Sequence, residues 1–326
     1  MVEVSAERPL RTREAQLLSL IGRQEWLDRP SYRLEHLLGI AFNSLGKSRD
    51  RVANALNGVW LGHPAHPPMA SLASGAIGTT VGLDALSLLP NRSRSERTDA
   101  SRFATRALGL GIVANVGSAV TGAADWQHTH QEDRRIGLVH GVLNGVATGL
   151  YVMSWMNRRR GRHGRGIMAS ALGYSITVSA GYLGGALVFG SSIGIDQSGQ
   201  RLRAPEWTPV LPVDSLEEGK LRRVEVDGLG LVVCRTGNDG DVAAFGELCP
   251  HLAAPMSDGW VDRGRLVCPW HGSRFDVCSG AVLRGPSAAP LPRYETRIND
   301  GMIELRGNGQ HSEPPPRVRS GTGGAK

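Results

Sequence analysis

The chain has 326 residues, 43 of them glycine, with 37 Lys and Arg against 30 Asp and Glu, a formal charge of +7 and a pI near 9.7. Four cysteines do not make the disulfide framework of a small secreted domain, and the cationic balance does not indicate nucleic acid, since neither aromatic-basic interleaving nor a helix-turn-helix pattern accompanies it. A mean hydropathy of -0.19 would suit a soluble protein, but that average hides an apolar middle between residues 66 and 195.

Residues 1–57 intersperse Arg with Glu and lack a positive start followed by an apolar core, so a signal peptide is not expected. Within this region Leu38, Ile40, Ala41, Leu45, Val52 and Leu56 recur at roughly helical spacing, which predicts a helix over Leu37–Leu56, solvated or lying on a membrane surface.

Residues 58–195 read as four membrane helices. Gly166 to Ile195 runs thirty residues without a charge, longer than the ~20 that span a hydrocarbon core. Ile136 to Met156 is uncharged apart from a proton that His140 could carry, Ala107 to Ala124 gives eighteen more residues, and Pro68 to Leu89 is broken only by Asp84. These segments are rich in Gly, Ala, Ser and Thr, and Gly141-xxx-Gly145-xxx-Gly149 predicts a face that lets helices approach closely in lipid. Arg92, Arg94, Arg97 and Arg102, then Arg158, Arg159, Arg160, Arg162 and Arg165, lie in hydrophilic breaks and fit a positive-inside bias.

Polar side chains inside such a bundle are costly and tend to face a cavity or a partner. They are Asp84, Asn115, Asp125, His140 and Asn144, with His63 and His66 at the first interface. Three readings stay open: interhelical hydrogen bonding, a proton or quinone pocket, and a haem b held by His140 with His63 or His66. Gly62-His63-Pro64-Ala65-His66-Pro67 carries a Gly-His-Pro-x-His-Pro motif. With it, residues 58–195 resemble an uncharacterised bacterial family of four-helix membrane proteins that brings no established activity.

Asp196 to Pro205 reads as a linker. Beyond it, Arg222 to Val226, Leu229 to Cys234 and Met302 to Leu305 are short apolar or alternating runs next to Asp-Gly turns, the pattern of antiparallel strands. Cys234 falls within one of these runs and reads as a core residue, and Cys278 also reads as structural. The tail 307–326, with Pro314-Pro315-Pro316 and a Gly-rich end, reads as disordered.

Two strings decide the chemistry: Cys249-Pro250-His251, then sixteen residues, then Cys268-Pro269-Trp270-His271. Two Cys and two His, each loop giving one of each, are the ligand set of a Rieske [2Fe–2S] centre, whose imidazoles lower the negative charge and raise the potential above that of an all-Cys cluster. A structural zinc site is the alternative, although zinc fingers usually keep like ligands together. Met256, the run His271-Gly272-Ser273-Arg274-Phe275-Asp276, Gly280, Gly285-Pro286-Ser287 and Pro290-Leu291-Pro292 complete the pattern. Over residues 206–306 the chain closely resembles the Rieske ferredoxin-like family.

The resemblance implies that Cys249 and Cys268 hold one iron and His251 and His271 the other. Members of the respiratory bc-complex type add a Cys to each loop, where this chain has Ala254 and Trp270, so no inter-loop disulfide is expected and the potential should lie low in the Rieske range. Ser273 stands where a hydroxyl could donate to a bridging sulfide and raise the potential, and it reads equally as a turn residue. Neither an Asp/Glu-x-x-His-x-x-x-x-His pattern for a mononuclear iron site nor a Gly-x-Gly-x-x-Gly turn for a dinucleotide is present.

The expected architecture is multidomain α + β: a charged, partly helical region (1–57), a four-helix transmembrane bundle (58–195), a linker (196–205), an antiparallel β Rieske domain (206–306) and a tail (307–326). The expected function is a membrane-anchored carrier of single electrons between a reductase and an oxygenase, quinone or other membrane acceptor, with membrane lipid and redox proteins as partners. The alternative is a redox sensor that couples cluster state to the bundle or to a partner. On topology, arginine counts alone put the cluster outside. The missing disulfide and missing export signal favour the cytoplasmic side of the cell membrane, which is the side expected.

Overall fold

In a computed structural model, residues 13–199, 203–236 and 241–308 are described; the expected tail lies outside them from residue 309 onward. The chain forms two compact units. One takes the chain up to Gly46 together with Ala65–Ile193; the other takes Lys47–Pro64 together with the chain from Gly194 onward.

Seven helices are described: α1 (Arg13–Gly22), α2 (Asp28–Ser44), α3 (Arg49–Leu56), α4 (His66–Ser87), α5 (Arg94–Trp126), α6 (Gln131–Arg159) and α7 (His163–Gly185), the last continued by a π turn, Ala186–Gly190. The helix expected over Leu37–Leu56 is divided: α2 stops at Ser44, Gly46 takes φ +53°, and α3 begins again in the other unit. Local chemistry explains several starts. Pro67 and Pro68 occupy the first turn of α4, where no intrahelical donor is lost. Ser93 and Glu96 form a reciprocal capping box at the head of α5, with Oγ accepting from the Glu96 amide at 3.2 Å and the Ser93 amide donating to Glu96 at 2.7 Å.

α5, α6 and α7 with its π turn are long and apolar enough to cross a membrane; α4, which carries Asp84, is not among them. The first unit buries a small apolar cluster of Ile77, Leu108, Ala147 and Tyr151 together with many polar side chains, and exposes large apolar ones. Thr80, Asp84, Ser118, Thr121, Ser154, Arg158 and Ser170 are buried, while Val113, Met168 and Phe189 are 70%, 73% and 85% exposed.

Close approach does rest on glycine, but not on the glycines expected. A Cβ at Gly111 would lie 2.5 Å from Ile77, one at Gly117 would lie 2.4 Å from Met69, and one at Gly173 would lie 2.7 Å from the Tyr151 ring. Gly141, Gly145 and Gly149 meet nothing within 4 Å and form an exposed stripe on α6. Arg158 is likewise not a loop cation. It is buried, with Nη1 and Nη2 donating to the two oxygens of Asp84 at 2.8 and 2.5 Å, Nη2 to Ser170 at 3.0 Å and Nε to Ser154 at 3.2 Å, which joins α4, α6 and α7. Arg134 and Arg135 tie the first two helices to α6: Arg134 donates to Glu35 of α2 at 2.5 Å, and Arg135 donates to both oxygens of Asp28 of α2 at 2.8 and 2.7 Å and to Gly22 O at the end of α1 at 2.7 Å.

The second unit is antiparallel β. Strands β1 (Arg203–Pro212), β2 (Arg222–Val226), β3 (Leu229–Arg235), β4 (Val242–Gly246), β5 (Trp260–Asp262), β6 (Arg265–Val267), β7 (Arg274–Asp276), β8 (Val282–Arg284), β9 (Arg293–Asn299) and β10 (Met302–Asn308) make a six-stranded sheet, β1-β10-β9-β4-β3-β2, and a four-stranded sheet, β5-β6-β7-β8. Asp227-Gly228 and Asp300-Gly301 take positive φ in the two hairpins, as the Asp-Gly signals anticipate. Phe245, Met256, Leu266, Phe275 and Leu291 fill the core that also receives Cys234, Cys249 and Cys268. Burial raises the Cys234 thiol to about 12, as suits an inert core residue. Cys278, by contrast, is exposed.

Candidate metal centre

The first Cys-His loop follows β4; the second joins β6 to β7. Both are closed in the same way. In the first, the Cys249 amide donates to Ala254 O at 2.9 Å and the Ala253 amide returns to Cys249 O at 2.9 Å; in the second, the Cys268 amide donates to Ser273 O at 2.9 Å and the Gly272 amide returns to Cys268 O at 3.2 Å. The residue fourth after each cysteine takes the left-handed conformation, Ala253 at φ +55° and Gly272 at φ +69°. Each turn aims two amides at its own sulfur, those of His251 and Leu252 at Cys249, and those of Trp270 and His271 at Cys268.

The sulfurs face each other. The Cys249 thiol donates to Cys268, which, with the Trp270 and His271 amides, lowers the Cys268 thiol to about 7 against the opposing effect of burial; the same bond and burial push Cys249 up. The amides of His251, Leu252, Trp270 and His271 all favour the thiolate form of their own cysteine, the form that binds metal. The imidazoles of His251 and His271 stand edge to face with centroids 5.0 Å apart, half-buried where the cysteines are buried.

Among the described residues no three His, Cys, Asp or Glu side chains gather at one point that a single ion could occupy. The donors present a sulfur pair and an imidazole pair, which fits a binuclear centre in which each iron draws two ligands from the protein. Ser273 is fully buried, and its Oγ accepts from the Ser287 amide at 3.0 Å, which leaves the hydroxyl proton available to donate elsewhere. Ala254 and Trp270 stand as sequence dictates, without a thiol at either place.

The histidines of the helical region are arranged differently. His66 and His140 stand edge to face with centroids 6.4 Å apart in the first unit, whereas His63 belongs to the second. Both ring nitrogens of His140 have protein partners, Nδ1 with Ala180 O of α7 at 2.8 Å and Nε2 with the Asn144 amide of its own helix at 3.3 Å. His66 Nδ1 meets Ser118 O at 2.9 Å, and Asn115 donates to Thr148 at 3.2 Å. The haem expectation finds no support; interhelical hydrogen bonds engage His66, Asn115 and His140, while Asn144 bonds within α6.

Sequence reasoning placed α3 inside the longer helix expected over Leu37–Leu56 and missed its contacts with the end of β8. Asn54 donates through Nδ2 to Leu283 O at 3.1 Å and accepts at Oδ1 from the Gly285 amide at 3.0 Å, while Asp50 pairs with Arg284 at 3.1 Å. The signal present in the chain was the i, i+4, i+7 row Asp50, Asn54, Asn57, three short polar side chains on one helix face.

The Rieske [2Fe-2S] domain family matches residues 206–295, and a predicted membrane protein family, DUF2231, matches 62–197. The ferredoxin component of the naphthalene 1,2-dioxygenase/salicylate 5-hydroxylase systems of Ralstonia sp is 32% identical over 100 residues, covering 31% of this chain and 94% of that protein. Apoptosis-inducing factor 3 of Mus musculus is 36% identical over 101 residues, which are 31% of this chain and only 16% of that relative. The solved ferredoxin of carbazole 1,9a-dioxygenase from Nocardioides aromaticivorans IC177 is 29% identical, covering 31% of this chain and 96% of that one, with a TM-score of 0.29. The chain belongs to the Rieske [2Fe-2S] family through its C-terminal antiparallel β domain, fused behind a DUF2231 predicted membrane protein domain.

Proposed function

We propose that this protein is a membrane-anchored Rieske carrier that passes single electrons between a reductase and an oxygenase, quinone or other membrane acceptor. The observation that carries the reading is the pair of identically closed loops bringing two sulfurs and two imidazoles together. Cys249 and Cys268 would hold the inner iron and His251 and His271 the outer one. When bound, such a cluster supplies reversible one-electron chemistry. The protein buries the two cysteines among amides and leaves the imidazoles half-buried, with the exposed Trp270 ring edge to face with His271, where a partner can dock.

Membrane anchoring is supported by the apolar exterior of the helical unit and by its three long apolar helices. We take α4 as a fourth span, since Asp84, its one charge, is neutralised by Arg158. The cluster is placed on the cytoplasmic side, because Ala254 and Trp270 deprive it of the disulfide that an oxidising compartment would sustain. A reporter fused after Lys326 tests that side.

The test of function is absorbance and EPR of the protein purified in mild detergent, before and after dithionite. Iron, acid-labile sulfide and a rhombic signal on reduction are expected, and His251→Ala should abolish the signal. Stoichiometric zinc in the intact protein would overturn the reading.

A further inference from the structure

Helix α3 lies far from the cluster loops in sequence yet is part of the β unit. Its grip is specific. Asn54 takes both the carbonyl of Leu283 and the amide of Gly285, two backbone groups at the end of β8. Asp50, one turn earlier, pairs with Arg284 between them. Asn57 is buried against Gly285, where a Cβ would come within 2.9 Å of its side-chain nitrogen, so this backbone is held from three positions on one helix face.

The residues just past Gly285 carry this grip to the cluster loops. Two positions on, the Ser287 amide donates to Ser273 Oγ at 3.0 Å, with both serines 1% exposed or less. Ser287 Oγ donates onward to Ala289 O at 2.8 Å, which steadies the segment from its other side. Ser273 is the residue whose carbonyl receives the Cys268 amide, so its backbone closes the second loop while its hydroxyl remains to be oriented. An amide donor on Oγ fixes the oxygen lone pair and turns the remaining proton elsewhere. A hydroxyl proton donated to a cluster sulfur or ligand stabilises the reduced, more negative state and raises the potential.

We infer that α3 is a positioning element for the cluster: Asn54 fixes the Leu283–Gly285 backbone, that backbone sets the Ser287 amide, and the amide orients the Ser273 hydroxyl toward the metal-binding loops. The inference rests on the proposed Cys249, Cys268, His251 and His271 ligand set and extends it to residues that touch neither iron nor ligand. Asn54 is thus a positioning residue that acts through Ser273.

The test is a double-mutant cycle in the full chain, read by EPR-monitored redox titration and by hydrogen exchange at the Ser287 amide. Asn54→Ala should lower the midpoint potential and speed exchange at Ser287. Ser273→Ala should lower the potential by itself, and adding Asn54→Ala to it should bring no further shift, because coupled residues are non-additive. A lowered potential of equal size in both backgrounds, or faster exchange with an unchanged potential, overturns the inference. Should Asn54→Ala fail to fold, Asn54→Asp keeps the acceptor for Gly285 but loses the donor to Leu283 and adds a charge that lowers the potential by itself, so it is read by hydrogen exchange at the Ser287 amide, where faster exchange is expected and unchanged exchange overturns the inference. Absence of the rhombic signal in the unmodified chain would instead sink the ligand assignment beneath it, a separately readable failure.

Discussion

The two units solve opposite packing problems. The β unit hides Phe245, Leu266, Phe275 and Leu291 and presents polar strand faces, the arrangement that water enforces. The helical unit buries Asp84, Arg158, Ser154 and Ser170 and turns Val113, Met168 and Phe189 outward. Where the surroundings are as apolar as the side chains, apolar burial gives no advantage, and association rests on small residues and on polar groups that satisfy one another. On the membrane-anchored reading, one chain is fitted to two solvents, and the same substitution type should act differently in each half.

The largest effect expected is at the sulfur and imidazole pairs: Cys268→Ser or His251→Ala should remove the cluster altogether, seen as loss of iron, sulfide and visible absorbance, while far-UV circular dichroism of the helices is unchanged. Next comes the buried ion pair. Asp84→Ala leaves the Arg158 guanidinium uncompensated and should cost about 3–5 kcal/mol, whereas Asp84→Leu combined with Arg158→Met should recover most of it, as measured by thermal unfolding in detergent. If the single and double variants are equally unstable, the pair is not the link between α4 and α6 that its geometry describes.

Core truncation sharpens the comparison from the other side. Leu266→Ala in the β unit should cost about 2–5 kcal/mol, while Val113→Ala on the exposed face of α5 should be close to neutral in the same assay. Within the helical unit, Gly173→Ala, forced against Tyr151, should cost about 1–3 kcal/mol, and Gly145→Ala on the open stripe should cost nothing or stabilise through helix propensity. Equal effects at the two glycines would mean that the α6–α7 contact is not where these side chains place it.

The smallest expected effect is a pH dependence in the β unit. The Arg297 guanidinium, with Nε donating to Glu304 at 2.5 Å, holds that carboxyl below its ordinary range, and Asn299 adds to the effect. The folded state therefore binds the proton more weakly than the unfolded state. The contribution is present above the ordinary carboxylate pKa and is lost as pH falls through the lowered one. Glu304→Gln should remove that acid limb of the stability curve and leave the rest of the profile unchanged.

The cluster loops were legible because their ligands are local in sequence: Cys-x-His and Cys-x-x-His bring both donors of a loop into one turn, and strands ending in Asp-Gly announce their own hairpins. Spacing could not supply the direction each helix faces. Gly141, Gly145 and Gly149 share a face by periodicity alone, but whether that face meets a neighbour depends on the positions of the other helices, which no local pattern encodes. Arg158 sits among four other arginines and reads as one of them until the fold brings Asp84, 74 residues away, to its guanidinium. The Asn54 contact spans a separation of 231 residues and engages only backbone groups, so neither end carries a side-chain signal of the other.

The β unit is not one continuous stretch of chain, and this sets an order of events in biosynthesis. α3 leaves the ribosome first, then waits while every residue from Ala65 to Ile193 is synthesised, before the strands it will hold exist. On the membrane-anchored reading proposed above, the intervening helices are made, and free to insert, before the iron-sulfur domain can close. A soluble version cut at the linker would lack one of its own structural parts.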